Sequence, residues 1–110
     1  SINQEPSNRA KELIQTNHAI THIYAVNSDK QMIVAFEIEH LKRFQLKQYE
    51  KAKTKRLKKE FPDLEVNVST DQKIIIEVEQ LEQAIASDSI SEKELKKKMK
   101  HIINLSKEKT

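Results

Sequence analysis

His18 and His22 stand four residues apart, a spacing that on a helix would place two imidazoles on one face, as in H-E-x-x-H zinc sites. They straddle an expected helix-to-strand transition instead. An even spacing on a strand would also put them on one side, but no Glu lies between them and no third ligand is near in sequence. Surface or partly buried structural histidines are therefore the plainer reading, and no metal site is expected. His40 and His101 are isolated. The carboxylate pairs Glu37/Glu39 and Glu77/Glu79 would need a concave, partly dry pocket to raise one pKa for acid–base work, and they read as solvent-facing charge. Ser69-Thr70-Asp71 places a hydroxyl beside an acid, but no histidine lies close in sequence to act as base, and helix capping accounts better for all three. No catalytic residue, cofactor-binding residue or cofactor is expected.

The chain has 110 residues with no glycine and no cysteine. Without glycine there is no Walker-type phosphate loop, no G-x-G-x-x-G turn, no G-x-S-x-G elbow and no standard EF-hand, since each needs a backbone position that a Cβ obstructs. Without cysteine there is no disulfide, thiolate nucleophile or Cys-ligated metal. A chain beginning at Ser1 is read as processed or trimmed. The longest apolar run, Met32 to Phe36, falls far short of the roughly 20 residues needed to span a bilayer.

Charge is the strongest signal that remains. Residues 1–39 carry −2, 40–60 carry +7, 61–90 carry −6 and 91–110 carry +4, giving a net +3. In the basic stretch, Lys42, Arg43, Lys47, Lys51, Lys53, Lys55, Arg56, Lys58 and Lys59 span more than one helical face. Such a stripe suits a phosphate backbone or anionic lipid headgroups, where each Lys or Arg contributes about 1 kcal/mol. Pairing with the acidic 61–90 segment, or plain solvation, is the simplest alternative. Only Phe44 and Tyr49 interleave the cations, and there is neither an RNP-like motif nor a G-x-x-G loop, which weakens the case for nucleic acid. The candidate interaction residues are Lys51, Lys55, Arg56, Lys58 and Lys59.

The elements that would position these groups follow from periodicity. Residues 1–8 read as a tail, 9–106 as one domain and 107–110 as a frayed end. Arg9 to Thr16 is a short helix with Ala10, Leu13 and Ile14 on one face and Ser7 or Asn8 as cap. Strand formers from Ala19 to Val26, an Asx-type turn at Asn27 to Lys30 and the run Met32 to Ile38 predict a β-hairpin. A long helix from about His40 to Phe61 ends at Pro62 and carries Leu41, Phe44, Leu46, Tyr49, Ala52 and Leu57 on a broad apolar face. Leu64 to Val68 alternates as a third strand of undetermined direction.

The segment 71–86 has the propensity of a strand over 73–79, but Ile74, Val78, Leu81 and Ile85 repeat at helical spacing, so a helix capped by Ser69 or Thr70 is favoured. Its isoleucines exceed what one helix face needs, which leaves room for an interaction patch or homo-oligomer contact. Ser91 to Glu94 is a capping box for a last helix presenting Leu95, Met99, Ile102 and Ile103, fraying beyond Ser106. The expected fold is α+β: an αββαβ core with a small three-stranded sheet covered on one face by helices, plus C-terminal helices.

The succession Ile20-Thr21-His22-Ile23-Tyr24-Ala25-Val26, a short turn, Met32-Ile33-Val34-Ala35-Phe36, a Lys-rich helix and Val66-Asn67-Val68-Ser69-Thr70-Asp71 resembles the sporulation lipoprotein family of the YhcN/YlaJ type. In that family a Val-x-Val-Ser strand end is similarly followed by an acidic residue and a helix. Thr70 stands where the family commonly has proline. The resemblance covers roughly residues 9–85 and implies an extracytoplasmic domain acting in spore formation or germination, membrane-anchored by a lipid on a cysteine upstream of Ser1 in the full-length protein. It further implies partners among spore-envelope or membrane-associated proteins and anionic membrane surfaces. The family brings no catalytic residues to carry over. The alternative function is a cytosolic nucleic-acid-binding module using the basic helix 42–59.

Overall fold

The computed structural model describes residues 3–15 and 18–108. Along the chain lie α1 (Glu5–Gln15), β1 (Ile20–Asn27), β2 (Gln31–Ile38), a 3-10 segment (His40–Gln45), α2 (Leu46–Glu60), β3 (Glu65–Ser69), α3 (Gln72–Ala86) and α4 (Glu92–Glu108). This is the α+β order that the sequence predicts.

β2 is the middle strand, antiparallel to β1 and parallel to β3. The hairpin turn is closed by Ser28, whose Oγ accepts from the N–H groups of Lys30 and Gln31 at 3.2 and 3.1 Å. The direction of β3 follows from its connection, because a helix returns the chain to the end of the sheet where β2 began, as parallel pairing requires.

Residues 32–36 are all apolar, so β2 has no face to offer water. Met32, Val34 and Phe36 pack with Ala10, Ile14, Leu57 and Val66, the layer of α1 and α2. Ile33 and Ala35 pack with Ile74, Val78, Leu95 and Met99, the layer of α3 and α4. Helices thus cover both faces of the sheet, which corrects the expectation of one covered face.

Three helix boundaries also differ from expectation. α1 begins at Glu5, where the N–H is accepted by Asn3 Oδ1 at 2.9 Å. Ser7 and Asn8, expected as caps, lie inside the helix, and residues 5–8 belong to it rather than to a tail. The expected end at Thr16 lies outside the described residues. The single long helix over 40–61 divides at Leu46, and neither Glu39 nor Gln45 supplies a side-chain cap at the two starts. α4 continues through Lys107 and Glu108, past the expected fraying at Ser106, whose Oγ donates to Ile103 O. Residues 109–110 lie outside the description.

The segment 71–86 is helical, and its cap is Asp71 rather than Ser69 or Thr70: Oδ1 accepts from the N–H groups of Lys73 and Ile74 at 2.9 and 3.2 Å. At its end, Asp88 takes φ 54°, a left-handed position that usually falls to glycine, while the Ser89 and Asp88 N–H groups donate back to Ala84 and Ile85. The helix start at Ser91 is the capping box the sequence predicts. Ser91 Oγ accepts from Glu94 N–H, and the Glu94 carboxylate accepts from Ser91 N–H and Oγ–H, which holds the Glu94 carboxyl below its ordinary pKa.

The outer edge of β1 is sealed by side chains. Gln4 pairs with Asn27 as a strand would, accepting from its N–H at 3.1 Å and donating to its C=O at 2.7 Å. Glu82, ion-paired with Lys11, accepts the Ala25 N–H at 2.6 Å. Tyr24, raised in pKa by burial and then by its hydrogen bond to Glu79, stands beside them. A register shift between Ile20 and His22 adds a bulge at the far end of the edge.

The Asn27 side chain is buried and fully used, accepting from Ser7 N–H and Oγ–H and donating to Asn3 O and Ser28 O. Asn27→Ala strands those groups and is expected to cost about 3 kcal/mol in urea unfolding. A loss below about 0.5 kcal/mol would show that water takes over the network.

Candidate functional site

The groups that could do chemistry are dispersed. His18 lies in the turn before β1, and His22 sits on β1 with Nδ1 3.4 Å from Glu37 Oε2 on β2. Among the described residues no three His, Asp or Glu side chains gather as metal ligands. Glu77 and Glu79 diverge because they are two apart on a helix, and Glu79 turns to Tyr24. Ser69 Oγ accepts the Asp71 N–H, Thr70 Oγ1 donates to Glu50 Oε2 at 2.7 Å, and Asp71 caps α3, so this trio builds the β3–α3 junction. A crevice of about 530 Å³ between α3 and α4 is lined by Gln80, Lys97, Lys98 and His101, with Glu94 engaged in its cap.

The basic stretch is different. α2 belongs to one layer of the sandwich and α3 to the other, so the sheet separates the lysines of α2 from Glu77, Glu79 and Glu82 of α3, whereas Asp71 lies on the same groove as Lys47. The ion pairs among the described residues are Arg9–Glu60, Lys11–Glu82, His22–Glu37 and Lys96–Asp29. None of them uses a cation of residues 40–60. Of the simplest alternative, pairing with the acidic segment or plain solvation, the pairing is not made among the described residues.

Rotation along the helix sorts the cations. Lys47, Lys51, Lys55 and Lys58, spaced by four, four and three, line one shallow groove with Glu50 and Thr54. Three of the five candidate residues, Lys51, Lys55 and Lys58, are thus brought together. Arg56 falls on another side of the helix, and Lys59, one turn beyond Lys55, does not line the groove. The opposite flank of α2 faces α1, where Glu60 accepts from Arg9 Nε at 2.9 Å. Lys53 is half-buried, and its ammonium is lowered in pKa by burial first and by Arg56 second.

Lys47, read in the basic stripe but not among the five candidates, completes the lysine row, and two further residues escape the sequence reading. Leu41 and Phe44, expected in the apolar face of a helix, are 73% and 84% exposed. Three residues complete a 3-10 turn, so the pair stands on one side of the segment, beside Lys42 and Arg43. Among the described residues the remaining large exposed apolar side chain is Ile76 on α3, at 51%; Ile74, Ile75, Val78 and Leu81 are core.

No family model, no curated protein and no solved structure matches the chain. The arrangement of its own residues therefore carries the functional argument.

Four like charges on one flank, with no ion pair among the described residues, repel one another, so removing them should relieve the fold. Lys47→Gln/Lys51→Gln/Lys55→Gln/Lys58→Gln is expected to unfold at or above the wild-type temperature. A loss above about 1 kcal/mol would mean that the row holds the fold together instead of facing outward.

Proposed function

We propose that this chain is the extracytoplasmic interaction domain of a sporulation lipoprotein of the YhcN/YlaJ type, non-enzymatic, and that it seats itself on an anionic membrane surface through residues 40–47. In this reading the lipid anchor of the full-length protein keeps the domain near the membrane, spore-envelope or membrane-associated proteins are its partners in spore formation or germination, and self-association is open to it. The resemblance that suggests the family runs through β1, β2, the Lys-rich helix and Val66–Asp71. That last segment has a mechanical role here, since β3 ends where Asp71 starts α3.

The observation that carries the membrane reading is the exposed pair Leu41 and Phe44 flanked by Lys42, Arg43 and Lys47. Apolar side chains that enter the headgroup layer gain about 25 cal/mol per Å² removed from water. Neighbouring cations each add about 1 kcal/mol on anionic lipid. Neither gain needs a pocket.

Sedimentation with vesicles tests it. Binding is expected to mixed phosphatidylglycerol and phosphatidylcholine vesicles and not to phosphatidylcholine alone, with Leu41→Ser/Phe44→Ser weakening it at least about tenfold. Equal binding by that variant, or no binding to the anionic vesicles, would overturn the reading. Retention of duplex DNA with a steep fall in affinity as salt rises, without vesicle binding, would favour the nucleic-acid alternative. The intact mass of the native protein from its own cells tests the anchor: a diacylglycerol adduct on an N-terminal cysteine supports it, and an unmodified initiator methionine contradicts it.

A further inference from the structure

The two edges of the sheet are treated differently. On β1 the outward backbone groups of Ala25 and Asn27 are occupied by Glu82 and Gln4. On β3, Glu65 donates its N–H to Lys30 O and lies opposite Gln31 in the parallel register, so Glu65, Asn67 and Ser69 turn their backbone groups toward β2. Alternation then turns the N–H and C=O of Val66 and Val68 outward. Among the described residues no side chain bonds to them. They line a groove of about 630 Å³ between β3, the first turns of α2 and the end of α4.

We infer that this groove is a docking site for an extended acidic segment of another protein, which pairs with β3 as a fourth strand. The backbone supplies the first requirement: outward N–H and C=O groups at alternate residues match the edge of an incoming strand and nothing helical. Charge supplies the second. Lys47 stands on this groove and on the adjoining one, whose wall continues through Lys51, Lys55 and Lys58. The carboxylates within reach are already engaged, Glu50 by Thr70 Oγ1 and Asp71 by the start of α3. A second copy docked edge to edge would bring two lysine rows together, so the occupant is an acidic partner and not another copy of this chain. The groove shares Lys47 with the proposed membrane surface but is not lined by Leu41 or Phe44, so Leu41→Ser/Phe44→Ser tests membrane binding while leaving the groove's own residues in place.

The test uses a fluorescein-labelled peptide of alternating Glu and Val, followed by anisotropy and by the amide NMR signals of the protein. Binding is expected with shifts centred on Val66 and Val68. The same peptide with Lys for Glu, and one of unchanged charge with Pro at alternate positions, are each expected to bind at least about tenfold more weakly. On the protein, Val68→Pro removes an outward N–H without touching the β2 ladder. Lys51→Glu/Lys55→Glu carries the test if that variant fails to fold, and either change is expected to weaken the acidic peptide at least about tenfold. The inference is overturned if the acidic peptide does not bind, if the Pro peptide binds equally well, if the shifted amides lie away from β3, or if the peptide-free protein self-associates through Val66 and Val68.

Discussion

From Met32 to Phe36 every residue of β2 is at most 1% exposed, and successive side chains enter opposite cores. A strand buried on both sides cannot be satisfied by one layer of helices. The chain therefore commits α1 and α2 to one side and α3 and α4 to the other, around a sheet only three strands wide. Full burial of each large apolar side chain contributes about 1.5–3 kcal/mol, which makes this strand the place where the two cores gain their stability together. The rest of the layout follows from the need to cover it. Even without glycine the chain turns back on itself, using Ser28 at the hairpin and Asp88 in a left-handed position after α3.

The same constraint sorts the charges and the edges. With α2 and α3 in different layers, the lysines of α2 and the carboxylates of α3 do not meet at close range, and salt screens what remains over about 8 Å at physiological ionic strength. The lysine row is left facing outward, without an ion pair among the described residues. The sheet edges show a matching asymmetry. α1 brings Gln4 to β1 and α3 brings Glu82, whereas α2, which covers the face beneath β3, sets Lys47 beside its edge and leaves the backbone of Val66 and Val68 unpaired there. Apolar side chains at Leu41 and Phe44 are exposed because the 3-10 segment joins the sheet to α2 without entering either core.

Much of this was legible in the sequence. The hairpin, β3 and α4 follow from alternation, a polar turn over 27–30 and a capping box, although the Ser28 hydroxyl closes that turn where the sequence predicts an Asx turn. Helical spacing through Ile74, Val78, Leu81 and Ile85 outweighs the strand propensity of the isoleucines. Burial of both sheet faces was also written in residues 32–36, since Ile33 and Ala35 are apolar as well as their even-numbered neighbours. The early start of α1 had its signal in Pro6, which suits a first helical turn, with Asn3 ahead of it as cap. The division at Leu46 had none, because no proline or glycine marks it. Periodicity also says which residues share a face without saying what that face meets. For that reason Leu41 and Phe44 read as core, and the lysines read as candidates for pairing with an acidic segment whose helical part, α3, the fold places in the other layer.

Amide hydrogen exchange across the sheet tests the account most directly, because it reads both edges of one strand system in a single experiment. The account predicts slow exchange at Ala25 and Asn27, sealed by Glu82 and Gln4. It also predicts slow exchange at Asn67 and Ser69, paired with β2, and fast exchange at Val66 and Val68. Protection at Val66 and Val68 equal to that of Asn67 would mean that the β3 edge is already covered. Fast exchange at Ala25 and Asn27 would mean that the β1 edge is not sealed, and either result would contradict the asymmetry on which the proposed surfaces rest.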